Sequence, residues 1–236
     1  MAIDMVFQIK SELKKYIKPE KVAIFANFFK TGQGQYGEGD LFLGINVPDQ
    51  RTVAKLFQNE ATLSDVDSLL KEKYHECRLT ALLILVEKYK KSSDENKKRI
   101  VDFYLENLKR VNNWDLVDLT APKILGNYLL DKDRKILYRL ARSENLWEKR
   151  VSIISTYTLL KDKQYLETIE ISKILLSDTH DLIHKAVGWM LREMGKMDKK
   201  IEMDFLDIYY KKMPRTMLRY AIEKFSEEER QDYLKR

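Results

Sequence analysis

The chain has 236 residues, of which 44% are hydrophobic and 34% are charged, with only 8 glycines and 4 prolines. This composition excludes a disordered chain and is typical of a helical globular protein with a sizeable core. The 43 basic residues are nearly balanced by 37 acidic ones, so the net charge of +6 permits nucleic-acid binding only if the basic side chains share one face.

A single cysteine, Cys77, excludes an intrachain disulfide and indicates a reducing compartment, for which we expect the cytoplasm. Its neighbour Glu76 disfavours a thiolate, so a buried thiol is expected rather than a nucleophile. The longest apolar runs, at 81–86 and 136–140, are too short to cross a bilayer. The first ten residues have an acid in place of a basic start, so neither a secretion signal nor a membrane partner is expected.

The N-terminal 30 residues predict two amphipathic helices that are separated before Pro19, because the residue preceding a proline disfavours the helical region. Five of the eight glycines then lie between Gly32 and Gly44, which predicts a loop. From Pro48 to Tyr233, apolar residues recur at spacings of three and four. This pattern predicts helices throughout and no sheet.

Two short motifs match the patterns of a nucleotide site and a metal site, but the residues around them argue against both sites. Residues 32–37 match G-x-G-x-x-G, but a helix precedes them and acidic residues follow, so a loop is favoured over a nucleotide site. His180 and His184 have the spacing of metal ligands without a third ligand nearby. We therefore expect capping or surface roles for these histidines, and no metal or other cofactor.

A weak internal repeat aligns four basic residues. The separations are 72 from Arg78 to Arg150, 35 from Arg150 to Lys185, and 34 from Lys185 to Arg219, with Trp114 near the missing position. A period in the mid-thirties in an all-α chain indicates stacked antiparallel helix pairs of the HEAT or armadillo kind. We predict one solenoid domain over residues 1–236, with these cations lining a concave groove. An irregular helical bundle is the alternative.

Trp114 and Asp118 are four residues apart, so on a helix they share one face, about one turn apart. An indole and a carboxylate on one surface suit a cationic ligand. The competing interpretation is structural: Asn113 caps the helix, acidic residues favour its positive end, and the tryptophan packs in the core. Trp189 and Arg150 also have structural interpretations. Trp189 would be an aromatic residue packed in the core, and Arg150 would be a solvated cation at the surface.

Several separated segments resemble the AlkD-type family of DNA alkylation repair glycosylases. They are Asn113-Trp-Asp-Leu-Val-Asp118, Asn145-Leu-Trp-Glu-Lys-Arg150, Lys185-Ala-Val-Gly-Trp-Met-Leu-Arg-Glu193, Phe42-Leu-Gly-Ile-Asn-Val-Pro48 and Met213-Pro-Arg-Thr-Met-Leu-Arg219. They occur in the family's order, and the resemblance extends over nearly the whole chain. The family folds as HEAT-like helical repeats, which agrees with the period found above.

The resemblance implies a monofunctional enzyme that releases N3- and N7-alkylated purines, such as 3-methyladenine and 7-methylguanine, from duplex DNA without a metal and without base flipping. Asp118, Trp114 and Trp189 match the family's catalytic carboxylate and aromatics. Residues expected at the DNA are Arg150 beside the lesion and its phosphate, the cations Lys185, Arg192 and Arg219, and, from the second helix, Phe28 and Lys30. Phe28 stands where the best-studied branch has a tyrosine, and the loop at 32–40 is longer here.

Two other functions are compatible with the same residues. A non-catalytic DNA-binding repeat protein would have the groove without the chemistry, and only Asp118 beside the tryptophans argues against it. An armadillo-type scaffold would use the basic residues to grip an acidic peptide. We expect the glycosylase, acting as a monomer on duplex DNA.

Overall fold

The computed structural model describes residues 4–235, and these residues form fourteen α-helices and no β-strand. One isolated bridge, between Leu41 and Tyr74, is the only β-type pairing among them. The predicted all-α fold is therefore confirmed. The predicted domain of 1–236 also includes residues 1–3 and 236, which lie outside the described residues.

The chain divides into two compact units, one up to Thr120 and one from Ala121. The first unit contains seven helices: α1 (Met5–Lys14), α2 (Pro19–Phe28), α3 (Val47–Phe57), α4 (Leu63–Leu70), α5 (His75–Lys91), α6 (Asp94–Glu106) and α7 (Trp114–Asp118). The separation predicted before Pro19 is confirmed, because Pro19 is the first residue of α2. Proline suits this position because its missing N–H has no partner there in any helix.

Helix α5 forms the core of the first unit. Every side chain from Leu79 to Val86 is buried, and α3 and α4 pack against it. A helix that is apolar on all sides can only be stable when neighbours surround it. Cys77, in its first turn, is buried as expected, and burial, with the nearby Glu72, raises the pKa of its thiol to about 12.

The second unit also contains seven helices: α8 (Lys135–Ala141), α9 (Leu146–Lys161), α10 (Leu166–Ile174), α11 (Asp181–Met197), α12 (Lys199–Tyr209), α13 (Arg215–Ala221) and α14 (Glu227–Leu234). Helix α11 packs against α9, α12 and α13. Gly188 allows the close approach of α13, because a Cβ at this position would lie 2.4 Å from the carbonyl oxygen of Met217. None of the helices at 4–235 is long and apolar enough to span a membrane.

The prediction that Arg78 lines a basic surface is wrong. Its side chain is buried, and its Nη2 donates to Asp40 Oδ1 at 2.5 Å inside the first unit. The sequence period aligned Arg78 with other cations by position alone. A buried carboxylate 38 residues away decides where its guanidinium lies.

Candidate active site

Helix α7 places Trp114 at its first residue and Asp118 at its last. Asn113 caps the helix, since its side-chain Oδ1 accepts a hydrogen bond from the Trp114 N–H at 2.8 Å. The cap fixes where the helix begins, and helical geometry then puts Asp118 one turn from Trp114 on the same side. Both side chains are half-buried. The predicted juxtaposition of this indole and carboxylate is confirmed.

The Trp114 ring belongs to a cluster of aromatic side chains. It stacks on Phe29 with a centroid distance of 5.3 Å and an interplanar angle of 18°. It also meets the edge of Phe28 at 5.6 Å and 77°. Phe28, at the end of α2, is 60% exposed although it is a large apolar residue, which is typical of a contact surface. The first unit thus brings together three predicted site residues, Phe28, Trp114 and Asp118.

A cavity of about 410 Å³ opens beside these residues. Helix α2, the segment 42–50 and helix α7 form its walls. Five aromatic rings line it: Phe25, Phe28, Phe29, Phe42 and Trp114. Asp118 lines it as well, so the half-buried carboxylate stands at an apolar, aromatic space. In such surroundings a charge interacts more strongly with a ligand than it does in water.

A buried polar network anchors the start of α7. His75 Nε2 lies 2.8 Å from Asp115 Oδ2, and His75 Nδ1 lies 3.3 Å from Asp40 Oδ2. Asp40 also accepts from Arg78, and from Asn113 Nδ2 at 3.1 Å. All five side chains are buried, so each charged group depends on the others for compensation.

The network holds His75 in its charged form. Burial lowers the pKa of its imidazole, but the charges and hydrogen bonds of Asp115 and Asp40 outweigh burial and raise the pKa to about 9. Burial pushes the pKa of Asp40 up, but bonding to His75 and the nearby Arg78 charge hold it below the ordinary value. An imidazolium donates from both ring nitrogens, which matches the two carboxylates it meets.

Glu76 organises the backbone of the segment 43–45 beside the cavity. Its carboxylate accepts hydrogen bonds from the backbone N–H groups of Leu43, Gly44 and Ile45, at 2.9–3.2 Å. Gly44 has a φ of +81°, and a Cβ there would lie 2.1 Å from the carbonyl oxygen of Lys18. Only glycine fits this position. The predicted loop at 32–44 is confirmed.

In the second unit, Trp189 lies on α11 between Lys185 and Arg192. The spacing of four and then three residues puts all three on one side of the helix. Trp189 is half-buried and its Nε1 donates to Glu193 Oε1 at 3.1 Å. Its ring lies 6.1 Å from that of Tyr157 on α9. The indole is therefore oriented by a hydrogen bond as well as by packing.

The predicted DNA-binding cations differ in their surroundings. Arg150 is buried, with Nη1 donating to the Leu182 carbonyl at 2.6 Å. Two others form ion pairs: Lys185 with Asp181 at 2.7 Å, and Arg192 with Glu223. The side chains of Arg219 and Lys30 are exposed. Contact with DNA remains a prediction for all five.

Comparison with known proteins identifies the family to which the chain belongs. The sequence model of the DNA alkylation repair enzyme family matches residues 9–225, nearly the full length. The chain belongs to this family. The predicted resemblance is confirmed at this level, and the family is one of DNA repair enzymes. No match was found among curated proteins.

The fold is similar to that of a solved structure. It is described as a predicted DNA alkylation repair enzyme from Enterococcus faecalis, and it shares 17% sequence identity with this chain. The TM-score is 0.72, and the match covers 89% of this chain and 97% of that one. At 17% identity the similarity is evidence for a shared fold alone. It supports that fold over most of the chain.

The buried network beneath α7 was not predicted from the sequence. No role was predicted for His75, whereas Arg78 was placed on a surface and Asp40 in a loop. One signal was present: three ionisable residues, His75, Glu76 and Arg78, open a helix whose middle, 79–86, is apolar except for Thr80. Charged groups at the head of a buried helix require buried partners. The identity of those partners depends on tertiary contacts.

Proposed function

We propose that the protein is a DNA glycosylase that hydrolyses the N-glycosidic bond of purines alkylated at N3 or N7 in duplex DNA. The observation that carries the proposal is the half-buried Asp118, one turn from Trp114, at an aromatic cavity. Membership of the DNA alkylation repair enzyme family supports alkylated DNA as the substrate, and the resemblance to the AlkD-type glycosylases implies the N3- and N7-alkylated purines. No cofactor is required by this chemistry.

Alkylation at N3 or N7 makes the purine ring positively charged, so the base is already a good leaving group. As the bond between C1′ and N9 breaks, its electron pair goes to the base and positive charge develops on the deoxyribose. A carboxylate fixed beside that charge stabilises the transition state more than the ground state. Asp118 has this role, and it also suits orientation of the water that attacks C1′.

The aromatic residues complement the carboxylate. The face of an indole attracts positive charge, and each such contact contributes about 0.5–2 kcal/mol. Trp114 and Trp189 are assigned to the sugar and the cationic centre. Phe28, exposed at the end of α2, is assigned to the DNA surface beside the lesion.

In this proposal the protein binds duplex DNA through contacts between its cations and the phosphate backbone. The cations that set the register without reading the sequence are Lys30, Lys185, Arg192 and Arg219. In this mechanism the damaged base stays stacked and is recognised from the backbone side. The proposed active species is a monomer in the cytoplasm.

The decisive measurement is release of 7-methylguanine and 3-methyladenine from methylated duplex DNA. We expect the wild type to release both and Asp118→Asn to release neither, with DNA affinity unchanged or higher. Asp102→Asn is a matched control, because Asp102 is an exposed aspartate on α6 that pairs with Lys98. It should retain full activity. Circular dichroism checks that each variant is folded.

Three other outcomes of these measurements would contradict the proposal, each in a different way. Near-normal release by Asp118→Asn would remove this carboxylate from the mechanism. No release by the wild type, with duplex binding intact, would overturn the glycosylase and leave the non-catalytic DNA-binding protein. Absence of duplex binding at modest salt would favour the peptide-binding scaffold.

A further inference from the structure

The first unit contains a second cavity, of about 370 Å³, at the other end of α5 from the aromatic one. It lies where α3 and α5 end and where α4 and α6 begin. Its described lining residues are Gln58, Asn59, Leu63, Lys88, Lys91, Ser92, Asn96, Arg99 and Ile100. His75, at the aromatic cavity, is the first residue of α5, and Lys88 is in its last turn, so the two are about 20 Å apart along the helix. The two cavities are therefore separate sites.

The charged side chains that line this second cavity are all basic. Lys88 and Lys91 are three residues apart and share one side of α5, and Arg99 reaches the same cavity from α6. None of the described lining residues is acidic. Three positive charges thus meet at one cavity without a negative charge among them.

These three cations differ from their neighbours on the same helices. Lys90 on α5 pairs with Glu87 at 2.6 Å, and Lys98 on α6 pairs with Asp102 at 2.6 Å. The cations of the cavity form no such salt bridge with a carboxylate in the described part of the chain. The cavity therefore keeps its positive charge, while the neighbouring lysines are neutralised.

Lys88 is the most confined of the three cations, because its side chain is half-buried. Its Nζ donates to the carbonyl oxygen of Gln58 at 2.9 Å, which leaves two of its three N–H groups for other partners. Burial lowers the pKa of this ammonium, although the charge of Asp65 acts in the opposite direction. Asp65 itself bonds to Thr62 in the capping box of α4. A bound anion would stabilise a partly desolvated cation in these surroundings.

The charge of the lining indicates which anion fits. A phosphomonoester carries about −1.5 to −2 at pH 7 and has three strong acceptor oxygens. A phosphodiester of the DNA backbone carries a single negative charge, so it matches three cations less well. Ammonium and guanidinium groups are the side chains with which proteins commonly bind phosphate.

We propose that this cavity binds a phosphate dianion, either free or as the phosphoryl group of a small phosphomonoester. The cavity has room for an organic part, since its volume falls within the range of roughly 300–1,000 Å³ that is typical of small-molecule pockets. The amides of Asn59 and Asn96 and the apolar side chains of Leu63 and Ile100 line the space beside the cations. This site does not depend on the glycosylase activity proposed above.

The test measures binding of ribose 5-phosphate and inorganic phosphate to the full-length protein, with ribose as the uncharged control. Calorimetry is done at about 0.15 M salt, which screens attraction between exposed charges. We expect both phosphates to bind with a Kd below about 1 mM and ribose not to bind. Tighter binding of ribose 5-phosphate than of phosphate would identify a phosphomonoester as the ligand, and equal or weaker binding would identify free phosphate. No binding of either phosphate, or equally tight binding of ribose, would overturn the proposal.

Two adjacent lysines on α5 give a matched pair of variants. Lys91 lines the cavity, whereas Lys90 lies outside its lining and pairs with Glu87. Lys91→Gln should weaken phosphate binding by at least about threefold, and Lys88→Gln by at least about tenfold because this charge is less exposed. Lys90→Gln should leave binding unchanged. Equal losses in Lys90→Gln and Lys91→Gln would show a response to net charge alone and would overturn the site.

The adjacent pair decides the question even if Lys88→Gln fails to fold, which circular dichroism would detect. Duplex DNA is the other phosphate-bearing partner to be distinguished. Displacement of ribose 5-phosphate by duplex DNA, or a shallower salt dependence of DNA binding in Lys91→Gln, would assign these cations to the DNA backbone and overturn the small-ligand site. We expect neither result. Base release is scored separately, and its absence in the wild type would overturn only the proposed function.

Discussion

The imidazole of His75 joins the first turn of α5 to the first turn of α7, with Nε2 lying 2.8 Å from Asp115 Oδ2. Asp115 is the second residue of α7 and directly follows Trp114, whose N–H is capped by Asn113. The contact therefore fixes the rotation of α7 about its axis. Because Trp114 and Asp118 lie on this same short helix, His75 positions both of them.

The stability of the protein should depend on pH through His75. Its pKa in the folded protein is raised to about 9 from an ordinary value of 6.5. The stabilisation is therefore fully present below pH 6.5 and is lost as the pH rises through 9. The rise in this pKa from 6.5 to about 9 corresponds to a loss of roughly 3 kcal/mol in the free energy of unfolding as the pH increases across this range. Urea unfolding across this pH range measures the effect.

His75→Gln isolates this contribution from other titrating groups. The variant should be less stable than the wild type at low pH, because it leaves Asp40 and Asp115 without an imidazolium between them. The difference in unfolding free energy should narrow as the pH rises towards 9. A difference that stays constant across the range would show that the pKa of His75 is not raised in the folded protein.

Trp189→Ala should lose less activity than Asp118→Asn. One aromatic contact to a cation contributes about 0.5–2 kcal/mol, which is a loss of about 2- to 30-fold in rate. Removing a fixed charge at the reacting centre costs about 100- to 1,000-fold. Single-turnover rates on methylated duplex DNA give the comparison. Equal losses, together with a lowered melting temperature, would indicate that Trp189→Ala misfolds.

Arg219→Ala should weaken DNA binding equally for all sequences. Each phosphate contact contributes close to one to the slope of log K against log salt concentration, so the slope should become shallower by about 1. Arg99→Ala removes the same charge from an exposed position on α6, outside the predicted DNA contacts. It should leave the slope unchanged. A slope identical in wild type and Arg219→Ala would exclude Arg219 from the interface.

Gly188→Ala should destabilise the second unit. The added Cβ would lie 2.4 Å from the Met217 carbonyl oxygen and 2.5 Å from Tyr220 Cβ, so α13 must move away from α11. Overpacking of this kind costs about 1–3 kcal/mol, which exceeds the gain in helix propensity of up to about 1 kcal/mol. Thermal unfolding tests this. Met197→Ala, at an exposed position on the same helix, should change stability by no more than about 0.5 kcal/mol.

The sequence by itself determined the features that depend on local spacing. Apolar periodicity predicted the helices, and the position of Pro19 predicted the break between the first two. The four-residue interval between Trp114 and Asp118 predicted their shared side of α7. These inferences succeed because helix geometry is set by residues three and four apart, which interact whatever the rest of the chain does. Several motifs in order were enough to identify the family.

Only the tertiary structure decided which distant groups meet. His75 and Asp115 are 40 residues apart, and Asp40 and Asn113 are 73 apart. The burial of Arg78 and the stacking of Phe29 on Trp114 likewise have no local cause. Whether a charged side chain faces water or a buried partner depends on how the helices pack, because removing a charge from water is tolerable only where an opposite charge is held in place.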